Sequence, residues 1–278
     1  MYDFRTGTIG LGVAGNFTGH LEQAGEAADF AAVSGVAACA PKGLFPFYAL
    51  NAAERLSPYP LSSDRIRLPT GDAGAAVQIE PELALICQLQ YAGAAVSGIV
   101  PTHFAAYNDC SLRITGATKI SQKKNWGADS KGLSASHVEL SQFNAVGSVD
   151  RFRIASFLKR GSEVFDYGID SPVNGYSYFY DALLEWVVDR MNHQVHAGPL
   201  ENISELLASG GKPTTLVLSV GATRYTQYGE SHYLQAGDES WVIVYDAGNH
   251  DAVSIRQHVI NGHTAIETAS VLRQSVEL

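Results

Sequence analysis

The sequence predicts an α+β fold that consists mostly of β-sheet. Three observations support this class: many short strand candidates, one clear amphipathic helix, and no regular alternation of strands with helices along the chain. The chain has 278 residues, of which 46% are apolar and only 17% are charged. It is therefore long enough, and apolar enough, to bury a substantial core.

The strand candidates are apolar or alternating segments bounded by turn residues. The longest is "VQIEPELALICQLQY" (77–91), and "FAAYNDCSLRI", "VELSQFNAV", "TTLVLSVGATRYT" and "ESWVIVYD" follow it, the last behind a Gly237-Asp238 turn. The helix is predicted within "FYDALLEWVVDRMNHQ", where four residues share one face: Tyr180, Leu184, Val187 and Met191. The opening segment, up to about Pro69, is interspersed with Gly, Ala and Pro. It is interpreted as loops and short elements wrapped on the core.

The segment "GLGVAGNFTGHLEQAGE" near the N-terminus admits two interpretations. Gly10, Gly12 and Gly15 match the G-x-G-x-x-G pattern of a dinucleotide-binding loop. That pattern also needs a βαβ unit and an acidic residue about twenty positions later, yet residues 30–53 contain no Asp or Glu. An NAD-binding enzyme is therefore disfavoured, and the glycines are expected to permit tight turning and close packing before His20.

Charge and cysteine content exclude several classes of protein. The net charge is −9, from 19 basic and 28 acidic residues without a basic run, which argues against a nucleic-acid partner. Cys39, Cys87 and Cys110 are odd in number and far apart, so neither a zinc knuckle nor a disulfide framework is indicated. No stretch approaches membrane-spanning length and no leader pattern opens the chain, so we expect a cytoplasmic protein without a membrane partner.

A group of acidic residues carries the strongest chemical signal. Glu80 and Glu82 stand two apart in a predicted strand, so both carboxylates should point to one face, roughly 6–7 Å apart. Two such carboxylates repel each other unless a cation or a proton joins them. Asp109 offers a third oxygen ligand, with Arg113 on the same segment and Lys131 downstream. Three carboxylates without a His or Cys pattern suit a hard ion, Mg²⁺ or else Mn²⁺ or Ca²⁺; the alternative is a solvent-facing acidic pair on a half-exposed strand.

Three lysines lie between these residues in "TKISQKKNW". Lys119, Lys123 and Lys124 either ring an entrance for an anionic substrate or belong to a solvated loop, and the second interpretation is favoured.

Six short motifs occur in one order between residues 16 and 239: "NFTGHLEQ", "EPELA", "DCSLR", "WGADSKG", "SVGATRYT" and "YLQAGDE". In this order they resemble the fumarylacetoacetate hydrolase family. The resemblance implies a mixed β-sandwich or roll with a few peripheral helices, and a homodimer. It implies one domain over 1–278: an N-terminal segment at about 1–69 that contributes the His20 loop, a metal-binding β core at about 70–248, and a C-terminal extension at 249–278.

The resemblance also implies roles for single residues. Glu80, Glu82 and Asp109 would hold Mg²⁺ (or Mn²⁺ or Ca²⁺), and His20 would be the general base. Gln23 stands where the family has Glu, so Glu22 or Glu26 is the expected carboxylate partner of His20. Four further residues would contact the substrate: Arg113 and Lys131 through charge, and Gly221 and Thr223 in a late loop.

The expected activity is hydrolysis of a C–C bond in a small anionic substrate, a 2-oxo acid or a β-dicarbonyl of the acylpyruvate type. Decarboxylation, isomerisation and dehydration remain open, as does a non-catalytic relative that binds a small ligand.

Overall fold

The structure is a computed structural model that describes residues 4–25, 30, 40–52, 55–70 and 76–278. Fifteen strands lie in this part of the chain: β1 (Thr8–Ala14), β2 (Gly43–Ala49), β3 (Leu61–Ser62), β4 (Arg65–Arg67), β5 (Ala76–Gln78), β6 (Pro81–Ala92), β7 (Ala95–Asn108), β8 (Ser111–Arg113), β9 (Lys131–Leu133), β10 (Val138–Glu139), β11 (Phe152–Arg160), β12 (Glu163–Pro172), β13 (Thr215–Ser219), β14 (Glu239–Asp246) and β15 (Ala269–Glu277).

Six α-helices accompany these strands in the described residues: α1 (His20–Gln23), α2 (Ser121–Lys124), α3 (Tyr180–His193), α4 (Ile203–Ser209), α5 (Gln227–Ser231) and α6 (Ala252–Ile260). Short 3₁₀ turns lie at Ser148–Arg151 and Val173–Gly175. None of these helices is both long enough and apolar enough to cross a membrane.

The strands form two large sheets and one small ladder. The first sheet has the order β2-β1-β13-β6-β7-β9-β3, with β10 paired to β7, and the second has the order β12-β11-β14-β15-β4. Most neighbours are antiparallel, whereas β1 and β13, β3 and β9, and β15 and β4 are parallel. The main core contains buried side chains from both sheets, such as Leu83 of β6 and Val244 of β14. This arrangement confirms the predicted α+β fold dominated by sheet.

The N-terminal segment was expected to consist of loops and short elements, and that expectation is wrong. β1 lies inside the first sheet, between β2 and β13, and all seven of its residues are buried. Its glycines have a packing role: a Cβ on Gly12 would lie 2.1 Å from the Phe45 ring, and one on Gly10 would lie 2.2 Å from the Phe47 ring. The aromatic rings of β2 therefore occupy the space that side chains on β1 would need. The expected close packing before His20 is confirmed.

Other predicted elements hold with changed boundaries. β14 matches the predicted segment, and α3 forms as expected, but its fully buried face consists of Leu183, Val187 and Met191. Tyr180 and Leu184 are half-buried at the edge of that face. In "VELSQFNAV" only Val138–Glu139 is a strand, because the Asn144 side chain accepts hydrogen bonds from the following backbone and favours a turn there.

The C-terminal residues 249–278 complete the second sheet. β15 pairs with β14 on one side and with β4 on the other. Gln274 of β15 is buried: its Oε1 accepts a hydrogen bond from Asn108 Nδ2 at 3.2 Å. Its Nε2 donates to the Arg65 carbonyl at 2.9 Å and the Lys131 carbonyl at 3.4 Å. These bonds tie the end of the chain to β7 and β9.

Candidate active site

An interruption in two adjacent ladders brings Glu80 and Asp109 together. The antiparallel β5·β8 ladder ends at Gln78 and Ser111, and the β6·β7 ladder begins at Pro81 and Asn108. The register of both ladders, continued across the gap, places Glu80 opposite Asp109. The Asp109 N–H donates to the Glu80 carbonyl at 2.9 Å, and the Glu80 N–H donates to Asn108 Oδ1 at 3.1 Å.

Glu82, two residues beyond Glu80, joins the same cluster. One carboxylate oxygen from each of Glu80, Glu82 and Asp109 lies within 4.8 Å of the others, and all three residues are buried. This oxygen-only donor set fits a hard divalent ion, which binds carboxylates at about 2.0–2.6 Å. A solvent-facing acidic pair, the alternative considered for Glu80 and Glu82, is excluded by their burial.

Three cationic side chains contact the acidic residues. Arg113 donates to Glu80 Oε1 at 2.8 Å, and Lys131 Nζ lies 2.8 Å from Asp109 Oδ1. Lys124 Nζ bridges two carboxylates, at 2.6 Å from Glu80 Oε2 and 2.6 Å from Asp109 Oδ2. Both oxygens of Glu80 and both oxygens of Asp109 are therefore within ion-pair distance of a cation.

The cations and the burial shift the pKa values in opposite directions. Burial opposes ionisation of Glu80, but the charges of Lys124 and Arg113 outweigh it and hold the pKa of Glu80 well below its usual range. Burial and the neighbouring charge of Asp109 raise the pKa of Glu82 well above its ordinary value, against the hydrogen bonds that it accepts from Ser219 Oγ and the Gly221 N–H. Glu80 is thus the ionised member of the pair, and Glu82 is the one that a further cation would ionise.

Glu82 should make the metal-free protein less stable as the pH rises. The pKa of Glu82 in the folded protein lies above the ordinary 4.5. The protonated carboxyl therefore contributes its full stabilisation below pH 4.5, and this contribution is lost as the pH rises through the folded-state pKa. Glutamine does not titrate, so the gap in stability between Glu82→Gln and the wild type should shift in favour of the variant as the pH rises above the ordinary 4.5. Thermal unfolding in EDTA at several pH values measures the gap. Glu139→Gln, on an exposed residue of β10, is the matched control, and a gap that stays constant with pH contradicts the assignment.

His20 begins α1 and is oriented by a backbone carbonyl. Its Nδ1 lies 3.0 Å from the Thr223 carbonyl oxygen. Because a carbonyl can only accept, Nδ1 must carry the proton, which leaves the lone pair of a neutral ring on Nε2. Nε2 faces the cluster at 4.0 Å from Glu80 Oε2. The ring is therefore presented as a base whose partner is the backbone of the late loop.

Two carboxylates were expected as partners of His20, and the structure describes one of them. Glu22 is exposed, and Glu26 lies outside the described residues. Gln23 fastens the loop: its Nε2 donates to Glu230 Oε1 at 2.6 Å, and its Oε1 accepts from the Tyr225 N–H at 2.9 Å. Gln23 thus joins α1 to the segment whose carbonyl orients His20.

Gly221 and Thr223 support the site through their backbone. The Gly221 N–H donates to Glu82 Oε2 at 3.0 Å, and its φ of 131° is accessible to glycine but strained for other residues. The Thr223 N–H donates to the Pro81 carbonyl at 3.1 Å. The Gly221 N–H is therefore bonded to a side chain of β6 and not to its backbone, and the predicted strand "TTLVLSVGATRYT" ends at Ser219. A substrate-binding role for either residue stays a prediction.

A small cavity lies between the acidic cluster and the N-terminal loop. Its volume is about 20 Å³, close to the room that one water requires. Its lining includes His20, Lys124 and the three acidic residues Glu80, Glu82 and Asp109. Arg113 and Lys131 are not among the described residues that line this cavity. Arg113 approaches Glu80 from the side on which it contacts Gln78 and Tyr225. Lys131 is fully buried and contacts Asp109.

Lys124 is the site residue for which the favoured interpretation from sequence, a solvated loop, is wrong. It was interpreted as part of a solvated or entrance-lining lysine group, yet it is buried, with Nζ 5.2 Å from the centre of the Phe45 ring. The adjacent Asn125 is also buried and donates to the carbonyls of Phe47 and Pro58 at 2.8 and 3.0 Å. The pattern of charges along the sequence does not distinguish Lys124 from Lys123. Lys124 is instead placed in the interior beside Asn125, which is hydrogen-bonded to β2.

Cys110 follows Asp109 but is not part of the cluster. Its thiol is buried in the main core, and burial raises its pKa to about 12. Cys87 is likewise buried with a free thiol, and Cys39 lies outside the described residues. The expected inert role of Cys110 agrees with this placement.

Comparison with solved structures places this architecture among known folds. Cg1458 with inhibitor has 15% identity and a TM-score of 0.55, over 97% of this chain and 76% of that one. The 5-carboxymethyl-2-hydroxymuconate delta-isomerase from Mycobacterium smegmatis has 16% identity and a TM-score of 0.51, over 97% and 78%. Maleylpyruvate hydrolase from Sphingobium sp. SYK-6 has 10% identity and a TM-score of 0.52, over 97% and 70%. At these identities the likeness concerns the fold, which is that of the fumarylacetoacetate hydrolase family.

Comparison of sequences gives the closer assignment. No curated protein matches the chain. The family model described as "Family of unknown function (DUF5718)" matches residues 26–276, a span that includes the acidic cluster and all three cations. The chain therefore belongs to the DUF5718 family, with the fold of the fumarylacetoacetate hydrolases.

Proposed function

We propose that the protein is a metal-dependent enzyme that acts on a small anionic 2-oxo acid or β-dicarbonyl and cleaves a C–C bond by hydrolysis. The observation that carries the proposal is the buried cluster of Glu80, Glu82 and Asp109, which converges on a cavity that His20 also faces. Burying three carboxylates is costly, and an ion-binding function explains why a chain keeps them together.

Glu80, Glu82 and Asp109 would hold the ion, Mg²⁺ in first place and Mn²⁺ or Ca²⁺ as alternatives. When bound, such an ion polarises a dicarbonyl and stabilises enolate charge. The raised pKa of Glu82 supports this use, because a cation beside Glu82 would offset the burial and the charge of Asp109 that now oppose its ionisation.

His20 is the residue suited to proton transfer. With Nδ1 bonded to the Thr223 carbonyl, its Nε2 can accept a proton from a water or a substrate carbon in the cavity. The Lys124 ammonium lies in the same lining and can attract an anionic substrate. Arg113 holds Glu80 in its ionised form, which is a more indirect role than the substrate contact expected from sequence.

The reaction type is a separate part of the proposal. The similar structures carry different activities in their names, a delta-isomerase and a maleylpyruvate hydrolase, and 2-keto-3-deoxyarabinonate dehydratase matches with 12% identity and a TM-score of 0.52. One acidic cluster and one base suit several of these reactions, since enolate charge develops at some stage of each. Hydrolysis of acylpyruvates is our first choice, and decarboxylation or isomerisation is the second. A cytoplasmic location and a homodimer stay predictions.

Turnover of acetylpyruvate and oxaloacetate tests the proposal. We expect activity that EDTA abolishes and Mg²⁺ restores. Glu82→Gln should lose both the activity and the binding of Mn²⁺ measured by electron paramagnetic resonance, with an unchanged circular dichroism spectrum, whereas Glu139→Gln should retain both. Retention of the ion by Glu82→Gln refutes the metal assignment. Stabilisation of the protein by oxalate without turnover of either substrate refutes the enzymatic proposal and favours a ligand-binding protein.

A further inference from the structure

We propose that Lys124 is an internal counter-cation that competes with the divalent ion for Glu80 and Asp109, so that metal loading requires the Lys124 ammonium to leave them. The inference rests on the proposed function in one respect, that the acidic cluster is the metal site. It adds a residue that sets the affinity of that site.

The first support is the identity of the atoms involved. Lys124 Nζ lies 2.6 Å from Glu80 Oε2 and 2.6 Å from Asp109 Oδ2, and both residues belong to the three-carboxylate group whose oxygens can share one ion. The second oxygens of these residues, Glu80 Oε1 and Asp109 Oδ1, lie 2.8 Å from Arg113 and 2.8 Å from Lys131. An incoming ion must therefore take oxygens that already have a cationic partner.

Lys124 is the cation that an incoming ion meets. It lines the cavity together with His20 and the acidic residues. Lys131 lies behind Asp109 and also donates to the Cys110 carbonyl at 2.7 Å, while Arg113 also binds Gln78 Oε1 at 2.7 Å and Tyr225 Oη at 3.0 Å. Those bonds lie away from the cavity, and Lys124 is the cation of the three that lines it.

Space and charge exclude simultaneous binding. The cavity holds about 20 Å³ with Lys124 in place, and a hard ion keeps waters or substrate oxygens in addition to its protein ligands. An ammonium and a divalent ion on the same two carboxylates would also repel each other at close range in a buried site. Binding of the ion and withdrawal of Lys124 are therefore one coupled event. The apparent affinity equals the intrinsic affinity multiplied by the fraction of molecules in which Lys124 has left the carboxylates.

Mn²⁺ titration of three proteins tests the inference. Lys124→Met removes the competing charge and keeps an unbranched side chain that is one atom shorter. Lys123→Met makes the same change one residue earlier in α2. We expect Lys124→Met to bind Mn²⁺ about tenfold or more tightly than the wild type, and Lys123→Met to match the wild type. Equal or weaker binding by Lys124→Met, including no binding, overturns the inference.

A second measurement uses the wild-type protein and covers the case in which Lys124→Met fails to fold. Acetylation by an N-hydroxysuccinimide ester, followed by peptide mass spectrometry, reports how accessible each lysine is. Saturating Mn²⁺ should raise the labelling of Lys124 several-fold and leave Lys212, an exposed lysine far along the chain, unchanged. Labelling of Lys124 that Mn²⁺ does not raise overturns the inference.

The two proposals fail separately. Tighter Mn²⁺ binding by Lys124→Met, together with no turnover of any tested 2-oxo acid by the wild type, supports the counter-cation and refutes the enzyme. Metal-dependent turnover with equal affinities in Lys124→Met and wild type supports the enzyme and refutes the counter-cation.

Discussion

Asp109→Asn should destabilise the metal-free protein by about 3–5 kcal/mol, the cost of removing one partner from a buried ion pair. The Asp109 and Lys131 side chains are both fully buried, and Lys131 Nζ lies 2.8 Å from Asp109 Oδ1. Burial already lowers the pKa of Lys131, and the charge of Asp109 offsets part of that effect. The substitution therefore leaves a buried ammonium without its carboxylate. Urea unfolding measures the change in the free energy of unfolding.

Two variants make this prediction specific. Asp64→Asn removes an exposed carboxylate that pairs with Arg65, and its unfolding midpoint should stay near that of the wild type. Asp109→Asn/Lys131→Met removes both members of the buried pair, and it should be more stable than Asp109→Asn because no buried charge is left unpaired. A loss below about 1 kcal/mol in the single variant, or strictly additive losses in the double variant, contradicts the account.

His20→Asn should lower kcat by about 10²- to 10⁴-fold, the usual contribution of a positioned general base. Asparagine can keep a donor near the Thr223 carbonyl, where His20 Nδ1 now lies at 3.0 Å, but it has no basic nitrogen in the place of Nε2. We therefore expect KM and the melting temperature to change little. The measurement is steady-state turnover of whichever acylpyruvate or oxo acid the wild type accepts.

His103→Asn is the matched control for this loss. His103 lies on β7 and contacts the neighbouring Thr102, so its substitution should leave kcat unchanged. Activity of His20→Asn within tenfold of the wild type would remove His20 from the mechanism, and a loss explained by unfolding would assign it a structural role.

The sequence predicted the parts of the fold that depend on local pattern. β14 and α3 combine strong apolar patterning with clear boundaries, and both were found close to their predicted ends. β1 was missed because Gly10 and Gly12 weaken strand propensity. Glycine is needed at these positions because the rings of Phe45 and Phe47 occupy the space, and those rings belong to a strand more than thirty residues away. Local pattern cannot contain such a contact.

In the candidate site, too, local pattern identified some residues, whereas tertiary contacts placed the others. Two-residue spacing identified Glu80 and Glu82, and Asp109 was recognised as a further oxygen ligand before the resemblance supported it. The ladder register that places Asp109 opposite Glu80 depends on strand pairing. Lys124 could not be distinguished from Lys123, because its inward position is set by the tertiary contacts around Asn125. The orientation of His20 was assigned to an acidic side chain, whereas a backbone carbonyl, which every residue has, supplies it.

Gln274 makes the order of the site depend on β15, the last strand to be synthesised. Its hydrogen bonds reach Asn108, next to Asp109, and the backbone of Lys131. Because synthesis proceeds from the N-terminus, the ribosome makes every acidic ligand and every cation of the cluster well before it makes this glutamine. A nascent chain can therefore contain every ligand and cation of the site before it contains the glutamine that links their strands. We expect the centre to become ordered only after β15 has been synthesised.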